Sequence, residues 1–173
     1  MSKSQLKKYL KELNKDQLEE FILDIYSDFK PAKEYIDFFL NPDVTKLVNK
    51  TQSQLYSKFY RPNGEPVTNL KFSKVNAIMK DFTNKICDPY IVADMMVYLL
   101  TLICDYGRNY SYSESFVRSV ISNFKRLSNW LVTNGLEKEY HQKMENLIAM
   151  TYSIGWNCSD GVYSEIDPCF INA

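Results

Sequence analysis

The sequence predicts an all-α fold, and three observations carry that prediction. Apolar residues recur every three to four positions to about residue 155, the period of an amphipathic helix. Five Gly and six Pro in 173 residues are too few for the frequent turns of an all-β protein. The 45% apolar and 14% aromatic fractions suffice for a substantial core. We therefore expect more than about 60% helix and no sheet larger than a hairpin.

The chain opens with a predicted helical hairpin. Leu6, Leu10 and Leu13 fall on one side of a helix, and the apolar stripe restarts on a new phase at Leu18. A break near residues 14–16 separates the two phases. In the rest of the chain, Pro residues and N-cap residues mark the predicted helix ends. The predicted helices are residues 4–13, 16–29, 31–40, 44–60, 73–86, 89–106, 114–134 and 137–154.

The sixth predicted helix has the most unusual composition. It starts after Asp88, a good N-cap, and is apolar on almost every side. A helix that is apolar all round must be covered all round, so we expect it at the centre of the fold. The residues expected to be nearly inaccessible are Met96, Leu99, Leu100 and Ile103.

The domain organisation predicted from the sequence is a single helical domain over residues 1–173. A Pro- and Gly-containing loop at 61–69 could subdivide it. Residues 155–173 have no helical period and are expected to form an irregular tail that packs on the body. Successive short helices favour an array of antiparallel helix pairs, an α-α superhelix of HEAT-like type, with a helix bundle as the alternative.

Charge, cysteine usage and motifs exclude several function classes. The net charge is zero, so no global field attracts nucleic acid or a membrane. The N-terminus has no apolar leader-like region and no apolar run approaches 20 residues, which predicts a cytoplasmic protein without a membrane partner. Four cysteines without a C-x-x-C pair and a single His predict reduced thiols and no metal site. No glycine-rich phosphate loop can be assembled, so no cofactor is expected.

The middle of the chain carries the strongest local charge. Residues 44–80 contain seven Lys and Arg side chains against Glu65, a local charge of +6. Cations interleaved with aromatic rings are typical of surfaces that contact phosphates and stack on unpaired bases. Lysines that merely keep a helix soluble would give the same pattern. The candidate binding residues are Lys46, Lys50, Tyr56, Lys58, Tyr60, Arg61 and Lys71.

Asp94 is the one catalytic candidate. It is a carboxylate inside the most apolar helix, one turn before Tyr98. If buried, such a carboxyl would have a raised pKa and could act as a general acid or base. The competing interpretation places it on an exposed strip of the helix or in a hydrogen bond with a neighbouring helix.

The N-terminal segment resembles a known family. The residues that carry the likeness are Ser2 to Glu20 (SKSQLKKYLKELNKDQLEE) and Tyr35 to Pro42 (YIDFFLNP). Over about the first 45 residues they are similar to an uncharacterised bacterial family of small helical proteins, a domain of unknown function. The resemblance implies a bacterial, cytosolic, helical domain and supplies no catalytic residue.

The function hypothesis that follows is a non-enzymatic helical module that binds a protein partner or self-associates. Two alternatives remain. One is a nucleic-acid-associated accessory protein that uses residues 46–71, and the other is a small enzyme centred on Asp94.

Overall fold

A computed structural model describes residues 2–41, 43–110, 113–167 and 170. Of the residues that it describes, 82% are helical, and they form nine helices and no strand. The only extended pairing among them is an isolated bridge between Tyr60 and Pro66. The predicted all-α class is confirmed.

The helices begin and end close to the positions that the sequence patterns indicate. They are α1 (Lys3–Glu12), α2 (Lys15–Asp28), α3 (Lys30–Leu40), α4 (Val44–Phe59), α5 (Phe72–Lys85), α6 (Pro89–Asn109), α7 (Glu114–Asn134), α8 (Glu137–Tyr152) and α9 (Trp156–Glu165). Local chemistry fixes several of these ends. The Asp88 carboxylate accepts from the first backbone amides of α6, and Gly135, with φ of 67°, ends α7 in the left-handed conformation.

The chain divides into two compact units, residues 1–43 and 44–173. The division falls before α4 and not at the 61–69 loop, where the sequence suggested it. That loop is tied to the helices beside it, because the Val67 amide donates to the Phe59 carbonyl and the Tyr106 hydroxyl donates to the Val67 carbonyl at 2.7 Å.

The first unit is a small helical assembly without an interior. α2 packs against α3, and α1 meets α2 where the rings of Tyr9 and Phe21 pack edge to face. Both α1 and α2 begin with a capping box, made by Ser2 with Gln5 and by Asn14 with Gln17. None of the three helices contains a buried residue.

The second unit is organised around α6, which packs against α4, α5, α7 and α8. All extensive helix contacts among the described residues of this unit join helices that are one or two apart in the chain. The buried residues of α6 are Val92, Ala93, Met95, Leu99, Leu100, Leu102, Ile103, Cys104, Tyr106 and Gly107. Three of the four residues expected to be inaccessible are in that group, but Met96 is only half-buried.

The C-terminal segment differs from the irregular tail that the sequence predicted, because residues 156–165 form α9. Val162 is fully buried and Cys158 nearly so, and α9 packs on α7 and α8. Gly161 allows α9 to pack closely on α7, since a Cβ at that position would overlap the Ile121 side chain. The α9 sequence shows no clear apolar period, because it is rich in small and polar residues and its buried positions include Ser159.

By length and composition, α6 could cross a membrane, although the core helix of a soluble protein passes the same test. Within the described chain it is the one helix of this kind. The sequence analysis expected no membrane partner because no apolar run approaches 20 residues. The longest such run, Met95 to Ile103, is only part of α6.

The central position of α6 gives a stability prediction. Leu99 and Leu100 are 2% and 1% exposed, so Leu99→Ala or Leu100→Ala should lower the free energy of unfolding by roughly 2–5 kcal/mol through lost burial and a residual cavity. Urea denaturation followed by far-UV circular dichroism measures this change. The exposed Val132→Ala is the control, with an expected change within about 0.5 kcal/mol. A loss below about 1 kcal/mol for both leucine variants would show that α6 is peripheral.

Candidate interaction surface

One side of α6 remains outside the core. The residues on it are spaced by three or four positions, which places them along a single line on the helix. They are either exposed or half-buried, in contrast to the fully buried opposite side. This outer strip consists of Tyr90, Asp94, Tyr98, Thr101 and Asp105. The expectation that α6 is covered all round is therefore wrong in part.

Where the outer strip meets α4, a groove forms. Its residues are Asn49, Gln52, Ser53 and Tyr56 from α4 and Tyr98 from α6, and they line an open depression of about 490 Å³. The Tyr98 hydroxyl lies 3.5 Å from the Gln52 carbonyl oxygen, at the long limit for a hydrogen bond. We call these five residues the tyrosine groove.

From Tyr56, a series of tyrosine ring contacts extends toward the C-terminal end of α6 and includes the buried Tyr106. Ring centroids lie 5.1 Å apart between Tyr56 and Tyr60, 6.3 Å between Tyr60 and Tyr106, and 5.2 Å between Tyr106 and Tyr110. Burial raises the pKa of Tyr60 to about 12, and the Asp105 carboxylate adds to this shift. The Tyr60 phenol therefore stays neutral at physiological pH.

On the other side of the outer strip, Asp94 joins α6 to α8. The Tyr140 hydroxyl lies 3.0 Å from the Asp94 carboxylate and 2.9 Å from the Tyr90 carbonyl, and its one proton is shared between them. The Lys143 ammonium lies 2.6 Å from the same carboxylate and 4.6 Å from the centre of the Tyr140 ring. Burial, and then the hydrogen bond to Asp94, raise the pKa of Tyr140.

The surroundings of Asp94 do not match those of a buried catalytic carboxylate. Its side chain is 58% exposed and is paired with Lys143. It lies on the outer strip and accepts a hydrogen bond from a neighbouring helix, the two features of the non-catalytic interpretation. Its geometric role is to connect α6 and α8 beside the tyrosine groove.

The structure does not gather the seven residues of the basic segment on one face. Lys58 follows Tyr56 by two positions, roughly 200° around the helix, and is half-buried on the opposite flank. Arg61 lies in the loop after α4, with its guanidinium 3.3 Å from the Glu65 carboxylate. Lys71 immediately precedes α5. The members that share the outward side of α4 are Lys46, Lys50 and Tyr56, while Tyr60 follows the helix and is half-buried.

The thiols and the single His form no metal site in the part of the chain that is described, where no group of three or more metal-ligating side chains occurs. Cys87 is exposed, and Cys104 and Cys158 are buried. Cys169 lies outside the described residues. The His141 Nε2 atom is buried and has no hydrogen-bond partner among the described residues, while the ring lies beside Phe170.

A second cavity of about 520 Å³ lies between the loop before α5 and the start of α7. Hydroxyl, amide and aromatic side chains line it, and none of them is charged. Among them are Asn69, Tyr106, Ser115 and Ser119. Several of these hydroxyls are already hydrogen-bonded. Ser119 donates to the Ser115 carbonyl, the Ser113 and Ser115 hydroxyls lie 2.7 Å apart, and the Tyr106 hydroxyl donates to the Val67 carbonyl. This cavity therefore offers few unoccupied polar groups to a ligand.

Sequence reasoning identified Tyr56 but missed the rest of the tyrosine groove. Asn49, Gln52 and Ser53 are ordinary polar residues on an exposed helix, and Tyr98 is 46 positions from the residue it approaches. The available signal was their spacing, since positions 49, 52, 53 and 56 recur every three to four residues on one side of α4.

The fold and this surface define an all-helical protein whose polar, tyrosine-rich face lies across three helices. The chain belongs to a family described as "Family of unknown function (DUF6155)", whose model matches residues 1–167. The match extends far beyond the first 45 residues on which the resemblance rested. No curated protein and no solved structure matches the chain.

The buried thiols give a reactivity prediction. Burial raises the pKa of Cys104 to about 12 and that of Cys158 to about 11, so both thiols stay protonated and unreactive at pH 8. In a Cys169→Ser background, Ellman's reagent should rapidly modify one thiol per folded chain, Cys87. The other two should react only after unfolding in guanidinium. Fast reaction of all three in the folded chain would contradict this burial.

Proposed function

We propose that this protein is a non-enzymatic helical scaffold that binds an extended segment of a partner protein. The segment lies across the outer strip of α6 and in the tyrosine groove. The observation that carries the proposal is the groove itself, where accessible tyrosines and carboxamides meet between two packed helices. The proposal includes a cytoplasmic location in a bacterium, in keeping with the N-terminal resemblance and the free thiols.

The helix contacts support a HEAT-like arrangement of the 44–173 unit. α4, α6 and α8 follow one another in one layer, since α6 packs against both of the others. α7 packs against α9, and an Arg126 to Asn76 hydrogen bond of 2.8 Å links α7 to α5. Contacts between helices one and two apart are typical of a two-layer array, whose layers each expose an extended surface. The outer strip lies on the layer of α4, α6 and α8.

The chemistry of the tyrosine groove suits a peptide. The Asn49 and Gln52 carboxamides each offer a donor and an acceptor, as the main chain of an extended peptide does. The Tyr56 and Tyr98 rings supply rigid apolar area with a polar tip, a combination enriched at protein interfaces. Lys50, exposed on the outward side of α4, would favour an acidic residue in the bound segment.

A selection experiment tests the proposal. A random 12-residue peptide library is panned against the full chain, and the affinity of the selected peptides is measured by fluorescence anisotropy. Asn49→Ala/Tyr56→Ala removes two exposed side chains of the groove and should weaken binding at least about 10-fold. Val132→Ala, exposed on α7, is the control and should leave the affinity unchanged within about twofold.

Two results would contradict the proposal. The first is a set of selected peptides that bind the double variant as well as the unchanged chain. The second is a selection that returns no specific peptide while the same library yields binders to a control protein.

Nucleic-acid binding is the alternative, and Lys46, Lys50 and Tyr56 on one side of α4 favour it. We expect no complex with a 20-nucleotide single strand tighter than about 10⁻⁴ M at physiological salt, since Lys58 lies on another flank and Arg61 is paired. Anisotropy at several salt concentrations measures this affinity. A salt-sensitive micromolar complex that is lost in Lys46→Ala/Lys50→Ala/Lys58→Ala/Arg61→Ala would replace the peptide proposal.

A further inference from the structure

The first 43 residues expose an unusual amount of apolar surface. Twelve large apolar side chains are exposed in the described chain, and eight of them belong to this unit. Phe39 is the most exposed at 76%, and Leu40 follows it at 67%. The eight are Leu6, Tyr9, Ile22, Leu23, Phe29, Tyr35, Phe39 and Leu40.

This unit cannot be stabilised by a core of its own. None of its three helices buries a residue, and helices of 10, 14 and 11 residues are marginal in water unless an apolar face is covered. The α2–α3 pair is held together by local contacts, such as the 2.7 Å hydrogen bond from the Tyr26 hydroxyl to the Asp37 carboxylate. The apolar area outside that pair requires a partner surface.

The charges of the unit indicate what that partner is. α1 carries four Lys against Glu12, whereas α2 carries five acidic side chains against Lys15. Both helices also contribute exposed apolar residues, among them Leu6 on α1 and Leu23 on α2. A basic apolar helix and an acidic apolar helix in one segment are complementary to the same pair in a second copy. A two-fold axis forms both contacts at once.

The exposed area is sufficient for such an interface. With about 180 Å² for a whole large side chain, the eight side chains expose roughly 800 Å². A stable protein interface of standard size buries about 800 Å² on each partner.

We propose that residues 3–40 form the dimer interface of this protein. α1 of each copy packs against α2 of the other, and the exposed apolar side chains of α3 lie at the same interface. This inference concerns a different surface from the tyrosine groove and does not depend on the proposed function. The apolar side chains supply the affinity, and the charges of α1 and α2 set the orientation.

Sedimentation velocity of the full chain over a concentration series tests the dimer. The protein should sediment as a species of twice 20.3 kDa at tens of micromolar. Phe39→Glu should raise the dissociation constant roughly 30-fold or more, because it places a charge in a buried apolar contact. Val132→Glu, an exposed apolar position on α7, is the matched control and should leave the dimer intact.

A charge-exchange pair identifies the contact between α1 and α2. Lys7→Glu/Lys11→Glu changes the net charge of α1 from +3 to −1. Glu20→Lys/Asp24→Lys/Asp28→Lys changes the net charge of α2 from −4 to +2. Each variant alone should be monomeric at concentrations where the unchanged chain is dimeric, because like charges then face each other. An equimolar mixture should restore a dimer, since both contacts become attractive. Restoration on mixing also shows that each variant is folded.

Three outcomes would overturn the proposal. A chain that stays monomeric at high micromolar concentration excludes the dimer. A dimer that neither Phe39→Glu nor the charge variants affect has its interface elsewhere. A monomer that sediments with anionic phospholipid vesicles would assign the exposed apolar side chains to a membrane surface.

Discussion

Burial of α6 is the interaction on which the 44–173 unit depends. No other helix of the described chain places as many residues in the interior, and α4, α5, α7 and α8 all pack against it. Apolar area removed from water contributes about 25 cal/mol per Å², so a buried helix of this size accounts for a large part of the stability. The polar groups of α6 are confined to its ends and to the outer strip.

The candidate interaction surface is a consequence of that burial. Because the other sides of α6 are covered, its Asp94, Tyr98, Thr101 and Asp105 side chains lie along one line between α4 and α8. Hydrogen bonds at this line join the helices, as Tyr140 and Lys143 do through Asp94. The same line presents amphipathic tyrosine rings to solvent. Of the two carboxylates on this line, Asp94 is paired with Lys143.

The features that could be predicted from the sequence are the helices and helix ends that depend on residues close together in the chain. Apolar periodicity located eight of the nine helices, and the Asp88 and Gly135 signals marked real helix ends. It did not predict α9, because that helix is rich in small and polar residues and includes Gly161. The glycine is explained by a close contact with Ile121, which only the tertiary structure shows. The sequence also did not predict the tyrosine groove, which requires Tyr98 to approach α4 across 46 residues of chain. Pairing between distant helices depends on tertiary packing, and a single sequence does not record it.

Native-state hydrogen exchange tests the central role of α6 most directly. The amides of residues 92–103 should exchange only through global unfolding, so their opening free energy should equal the unfolding free energy from urea denaturation and fall with it as denaturant is added. Exchange of these amides by local opening, with an opening free energy well below that of α4 or α7, would show that α6 is not the element around which the fold is built.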